Sequence, residues 1–311
     1  MEFSLAANRP LVFPRSLQAR IEAEAARFLF DGGPKPDFST PAGEPALTAP
    51  DSVSWRVFKN PISLFIGGAS AVLLELAEPR VRSGVWDHTS FRTDPVRRLQ
   101  RTGLAAMMTV YGPRSEAEAM IARVQRIHSR IAGRTTSGEA YRADDPELLN
   151  WVHATAAFGF VEAYNRFVEP LLETDVSHFY SEGAPAARLY GASAAPHSEK
   201  ELLAFFDAMR PKLQPSPIIF EFLDIMRCAP ILPRASRSFQ RLLLRAATDM
   251  LPGWARSLLG LNSEWELKGW ERRIVRGAGR VVDRIPLAGS PPVEACRRVG
   301  LPGDYLFTAR A

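Results

Sequence analysis

The stretch LLNWVHATAAFGFVEAYNRFV, residues 148–168, is apolar nearly all round, and it limits the possible folds more than any other feature of the chain. A helix with no wet face must run through the middle of other helices. Asp145 and Pro146 stand directly before it. Aspartate can accept one of the first unpaired backbone N–H groups, and proline loses nothing at a first helical position. The same pair, Asp94-Pro95, opens RRLQRTGLAAMMTVY, which Gly112-Pro113 ends. Ser115 and Glu118 are spaced as a capping box, which predicts a helix from there to a stop at Gly133.

Other periodic segments predict helices over 16–30, 61–77, 198–210, 217–227, 237–250, 254–260, 263–277 and 290–299. Residues 81–95, VRSGVWDHTSFRTDP, after the break at Pro79, read as a loop that contains His88. No period-two run is long enough to build a sheet, and no internal repeat occurs. The expected fold class is all-α. It comprises an N-terminal helix and irregular connection over 1–50, a helical domain over 51–261, and a C-terminal helical extension over 262–311 packed on the same domain.

With 46% apolar residues the chain can form a large core, and wholesale disorder is not expected. The most apolar run, Pro61 to Ala77, is short for a membrane span and carries Glu75, so a buried helix is the better reading. The first residues lack a basic stretch followed by an apolar one, and no C-x-x-C-H occurs. Cys228 and Cys296 read as ordinary reduced thiols, and the expected location is cytoplasmic. Residues 227–298 hold 14 Lys+Arg against 6 Asp+Glu. These arginines are spaced singly along apolar helices, which favours a solvated face over a nucleic-acid surface.

On the helix after Ser115, His128 shares a stripe with Val124 and Ile131. His153 lies among Leu149, Val152, Ala156 and Phe160 in the same way. Both imidazoles point inward. The residues leave two readings open: a hydrogen-bonded core histidine, or a ligand to a metal or haem iron. Arg98 and Thr102, four apart, share a face with Ala105 and Thr109, and Arg101 lies beside them. Such a pair either meets solvent or serves a polar ligand within the fold.

Six stretches in this order and spacing resemble the MpaB-type oxygenases, which include the rubber oxygenases: DSVSWRV at 51–57, GVWDHTSFRTDPVRRLQRT at 84–102, GPRSEAEAMIARVQRIHSRIAG at 112–133, GEAYRADDPELLNWVHAT at 138–155, AYNRF at 163–167 and LPGWARSLLGL at 251–261. The resemblance implies a globin-reminiscent helical fold with a non-covalent haem b. It implies His128 as the iron ligand, with Arg98 and Thr102 as catalytic residues near the other haem face. Arg101 falls where rubber oxygenases can present a distal lysine, and a guanidinium is a poor iron ligand. Arg82 falls near the position of their catalytic glutamate, so rubber cleavage is not carried over.

The expected function is a haem-dependent oxygenase that uses dioxygen on an apolar substrate, isoprenoid or alkene-containing. Arg98, Arg101, His128 and His153 are the expected cofactor contacts, with His128 on the metal. The alternative is a haem- or lipid-binding protein of the same fold without turnover. A weaker possibility is a non-haem metal site built from His88, His128 and His153. No nucleic-acid partner is expected. Trp254, Trp265 and Trp270 among arginines raise peripheral membrane contact, against the simpler reading of aromatic packing in a helical cap.

Overall fold

In the computed structural model, the residues described are 36–308 without a break, preceded by 10, 11, 13, 14, 16, 18–20, 22 and 23. Of the helix expected over 16–30, the described residues 16, 18–20, 22 and 23 are helical, and the rest lies outside the described residues.

The capping chemistry sets the helix starts. Helix α1 is Val53–Phe58, and α2 is Pro61–Glu75. The buried Asn60 side chain accepts from the Ile62 and Ser63 backbone and donates to the Gly279 carbonyl at 2.9 Å. Helix α3, Pro79–His88, replaces the loop expected there. Pro79 begins a helix rather than ending one, because Glu78 caps it by accepting from Val81 N–H at 2.8 Å. Between α2 and α3 the chain turns by 114°.

Helix α4, Pro95–Tyr111, starts on the Asp94 cap as expected. Helix α5 is Arg114–His128, shorter than predicted at its C-terminal end. Pro113 precedes its first residue without a side-chain cap, and the Ser115 N–H donates to Glu44 at 2.6 Å, so the Ser115–Glu118 box does not form. The chain leaves the helix after His128 because 132–134 pair with 140–142 as an antiparallel hairpin, β1 Ala132–Arg134 and β2 Ala140–Arg142. Gly133 lies under the Tyr141 ring, where a Cβ would stand 2.6 Å from the phenol oxygen.

Helix α6, Pro146–Phe167, is the apolar helix read from the sequence, with Asp145 accepting from Glu147 N–H at 2.8 Å. Helix α7, Glu173–Tyr190, was not expected: Gly183 and Pro185 inside it hide its pattern. Its Glu182 accepts from the Val53 and Ser54 backbone N–H groups and the Ser54 hydroxyl, so α7 caps α1 from outside. The remaining helices are α8 Glu199–Met209, α9 Ile218–Cys228, α10 Arg237–Asp249, α11 Gly253–Leu259, α12 Gly269–Val282 and α13 Pro291–Arg298. Helix α12 starts later than the helix expected over 263–277, since Ser263–Trp265 forms a short 3-10 turn first.

Among the described residues the fold is all-α apart from the small hairpin. Its main core joins Phe38, Trp55, Trp151, Phe222, Val275 and Phe307 in one cluster. The C-terminal arginines are in part spent on local pairs, Arg245–Glu271 at 2.6 Å and Arg272–Asp249 at 2.8 Å. Cys228 is exposed and Cys296 buried, and both are free.

Helices α2 and α6 make the most extensive packing in the fold. Gly67 and Gly159 meet where they cross. A Cβ on Gly67 would stand 2.5 Å from the Gly159 carbonyl oxygen, and one on Gly159 would stand 2.3 Å from that of Gly67. Those atoms are backbone, so no side chain can yield to make room. Gly159→Ala is expected to destabilise the protein by about 3 kcal/mol, the upper end for an overpacked core. Adding Gly67→Ala should cost less than its own single effect, because both act on one contact. Urea unfolding of the two single variants and the double variant measures this.

Candidate functional site

Several faces that a close-packed bundle would seal remain partly open. On α2 these are Phe65, Gly68, Val72 and Glu75, while Ile66, Leu73 and Leu74 are fully buried. On α6 they are Val152, His153, Ala156 and Phe160, on α4 Arg98, Ala105 and Thr109, and on α5 Met120, Val124 and His128. Each set follows helical spacing, so each is one face. Helices α2 and α6 pack on each other, and α4 packs on α5, but neither member of one pair packs along the other pair. Helix α7 joins the two pairs by packing on both α5 and α6.

Interactions between the open faces place them around one region. Arg98 on α4 interacts electrostatically with Glu75 on α2 and with His128 on α5. The Thr109 hydroxyl bonds the Tyr190 phenol of α7 at 2.9 Å. His153 packs toward Gly183, where an added Cβ would stand 3.8 Å from its ring. The site is a cleft between two helix pairs, closed on one side by α7.

His128 is the last residue of α5 and is partly buried. Burial lowers its pKa, the Arg98 charge lowers it further, and Asp144 partly opposes both. The imidazole is therefore neutral at neutral pH, and it has no hydrogen-bond partner among the described residues. Burial alone pushes His153 down to about 4.

Burial lowers the Arg98 pKa as well, while Glu75 supports its charge and Arg101 opposes it. Its guanidinium donates to the Thr102 hydroxyl, which in turn donates to the Arg98 carbonyl at 2.9 Å. Thr102 and Arg101 are exposed on the outer part of that helix.

Sequence reading missed Glu75 as a site residue and noted it only as a charge that spoils a membrane span. Burial pushes its pKa up to about 7, against the pull of Arg98. The signal was available: Glu75 lies seven residues after Gly68, on the same helix face.

The three histidines do not converge. His88, exposed at the end of α3, faces the Tyr141 hydroxyl at 3.1 Å. Among the described residues no three His, Cys, Asp or Glu side chains are grouped to hold a metal ion, so the non-haem His88–His128–His153 site is not assembled. An open groove of about 510 Å³ lies elsewhere, along Arg245, Glu264, Glu266 and Lys268. It has no imidazole in its lining, and the cleft beside His128 is the better candidate.

Glu75 and His153 make opposite contributions to the pH dependence of stability. A carboxyl whose folded pKa is raised takes up its proton on folding, so its neutral form contributes stability that is lost between pH 4.5 and about 7 as pH rises. An imidazole whose folded pKa is depressed resists protonation, so stability is lost as pH falls from 6.5 to about 4. Glu75→Gln is expected to stabilise the protein above pH 7 by up to about 3 kcal/mol and to leave it unchanged near pH 4. His153→Asn should remove acid sensitivity over the lower window. Denaturant melts across that pH range read both.

No helix among the described residues is long and apolar enough to cross a membrane by itself. No curated protein and no solved structure matches the chain significantly. Residues 55–284 match the family described as ER-bound oxygenase mpaB/B'/Rubber oxygenase, catalytic domain. The match covers well over half of the chain and takes in α2 to α7, the helices that build the cleft. The chain therefore belongs to the mpaB/rubber oxygenase catalytic-domain family, a family of oxygenases.

Proposed function

We propose that the protein is a haem-dependent oxygenase acting on an apolar, alkene-containing substrate in the cytoplasm. The observation that carries this reading is His128. It is a neutral imidazole with no hydrogen-bond partner among the described residues, at the end of a helix and facing a cleft. An iron–imidazole bond needs a free nitrogen lone pair in a neutral ring.

The rest of the cleft suits the same group. Gly68, Ala105, Ala156 and Gly183 stand on its walls and leave room beside apolar Val72, Val152 and Phe160. An apolar ring fits such walls, and its propionates need a cation, which Arg98 or the exposed Arg101 can supply. In this reading His128 would hold a non-covalent b-type haem, with His153 of α6 as a further contact to it. When bound, that group supplies the redox chemistry with dioxygen that amino-acid side chains lack.

The chain's own residues would do the remaining work. Arg98 and Thr102 carry N–H and O–H donors on one face of α4 and keep each other oriented by their mutual bond. Glu75, with a pKa near 7, can hold or release a proton at neutral pH. The apolar side chains of α2 and α6 exclude water and favour a hydrocarbon substrate.

One observation favours the alternative of a haem or lipid carrier without turnover. Arg82 stands near the position where rubber oxygenases carry a catalytic glutamate. Its guanidinium is spent on the Leu76 carbonyl at 3.0 Å and the Gln214 carbonyl at 3.3 Å. Glu75 offers a carboxyl from a different position, and for that reason the oxygenase reading is preferred.

Purified protein, as isolated or reconstituted with haemin, is expected to show a Soret band that His128→Ala abolishes or strongly weakens. Folded protein that takes up no haemin would end the proposal. Uptake of haemin without oxygen consumption on any isoprenoid would leave only the carrier.

A further inference from the structure

Helix α12 is held to the protein by one face. Val275 is fully buried, and Gly279 lies so close to the end of α6 that a Cβ there would stand 2.4 Å from the Phe167 carbonyl oxygen. Glu271 closes the helix start by accepting from Lys268 N–H at 2.7 Å and is paired with Arg245. The orientation of the helix is therefore fixed.

The opposite face carries an apolar line. Trp270 is 55% exposed, Ile274 44% and Val281 49%. With Gly277 they follow positions i, i+4, i+7 and i+11 and form one narrow stripe about 16 Å long. Scattered exposed apolar residues need no explanation, but three on one stripe facing outward do. The tryptophans grouped in the sequence are divided by the fold. Trp254 packs against Phe206 beneath Arg210, and Trp265 is partly buried, so only Trp270 joins the stripe.

Arg273, Arg276 and Arg280 run along one flank of that stripe, all exposed. Arg276 and Arg280 donate Nε–H to the Arg166 and Val168 carbonyls at 2.7 and 3.3 Å. None of the three is paired with a carboxylate among the described residues, unlike Arg272, which meets Asp249.

We propose that this face of α12 docks the protein on the anionic surface of a lipid bilayer, with Trp270, Ile274 and Val281 entering the headgroup boundary and the three arginines meeting lipid phosphates. An apolar crest with a cationic flank is complementary to such a surface. It is poorly matched to nucleic acid, where the crest would be dehydrated against phosphates without gain. It is poorly matched to a second copy, because antiparallel pairing along the stripe would set the two arginine rows side by side. The inference is independent of the haem reading.

The test is co-sedimentation of the full chain with phosphatidylcholine vesicles and with equimolar phosphatidylcholine/phosphatidylserine vesicles. Binding is expected on the anionic vesicles at low salt, to be weakened by high salt and nearly absent on neutral ones. Trp270→Ser should lower it about tenfold. Arg273→Glu, which disturbs no bond in the fold, should lower it by about fivefold or more. The proposal is overturned by absence of binding to anionic vesicles at low salt, or by binding that neither substitution changes. A Trp270→Ser variant that dissociates a dimer while vesicle binding stays the same would assign the face to a second copy instead.

Discussion

The contact between Gly67 and Gly159 is the constraint on which the rest of the molecule depends. It lets two apolar helices cross at backbone distance, so α2 and α6 behave as one thick wall. The backbones touch there, and Phe65, Val72, Val152 and Phe160 stay partly exposed away from that contact. The cleft follows from packing that is very tight on one side of this wall and incomplete on the other. Helix α7 bridges this wall and the second one, α4 with α5, by packing on α6 and on α5.

Across that space the charges are arranged around Arg98. Burial lowers the His128 pKa and the Arg98 cation lowers it further, while the same cation tempers the protonation of Glu75. Burial is the larger influence on each of the three groups. One guanidinium thus links an acid on α2 and an imidazole on α5 whose helices do not pack along each other.

Much of this was legible in the sequence where the signal is local. The Asp-Pro pairs at 94–95 and 145–146 mark true helix starts because a side chain caps the first turn in each case. The inward set of His128 and the shared face of Arg98 and Thr102 followed from helical spacing. What was not legible depends on distant partners. Helix α3 has a local cap in Glu78, but Arg80 in its first turn is held by Glu147, 67 residues on, and α7 forms despite Pro185 because its neighbours bury one face. Helix α5 stops early because a hairpin competes for residues beyond it. Glu75 could be found only by asking which face of α2 lacks a partner, and that question needs the Gly67–Gly159 crossing first.

Arg298 lies at the far end of α13 and is almost wholly buried. Its guanidinium grips the carbonyls of Phe38, Glu44 and Tyr111 at 2.6, 2.8 and 2.7 Å. Tyr111 ends α4, the helix that carries Arg98. During synthesis, the wall opposite α2 and α6 thus waits for a clasp that leaves the ribosome nearly two hundred residues later. Completion of that wall therefore requires Arg298, and a ligand that enters earlier meets a helix α4 whose end is not yet clasped.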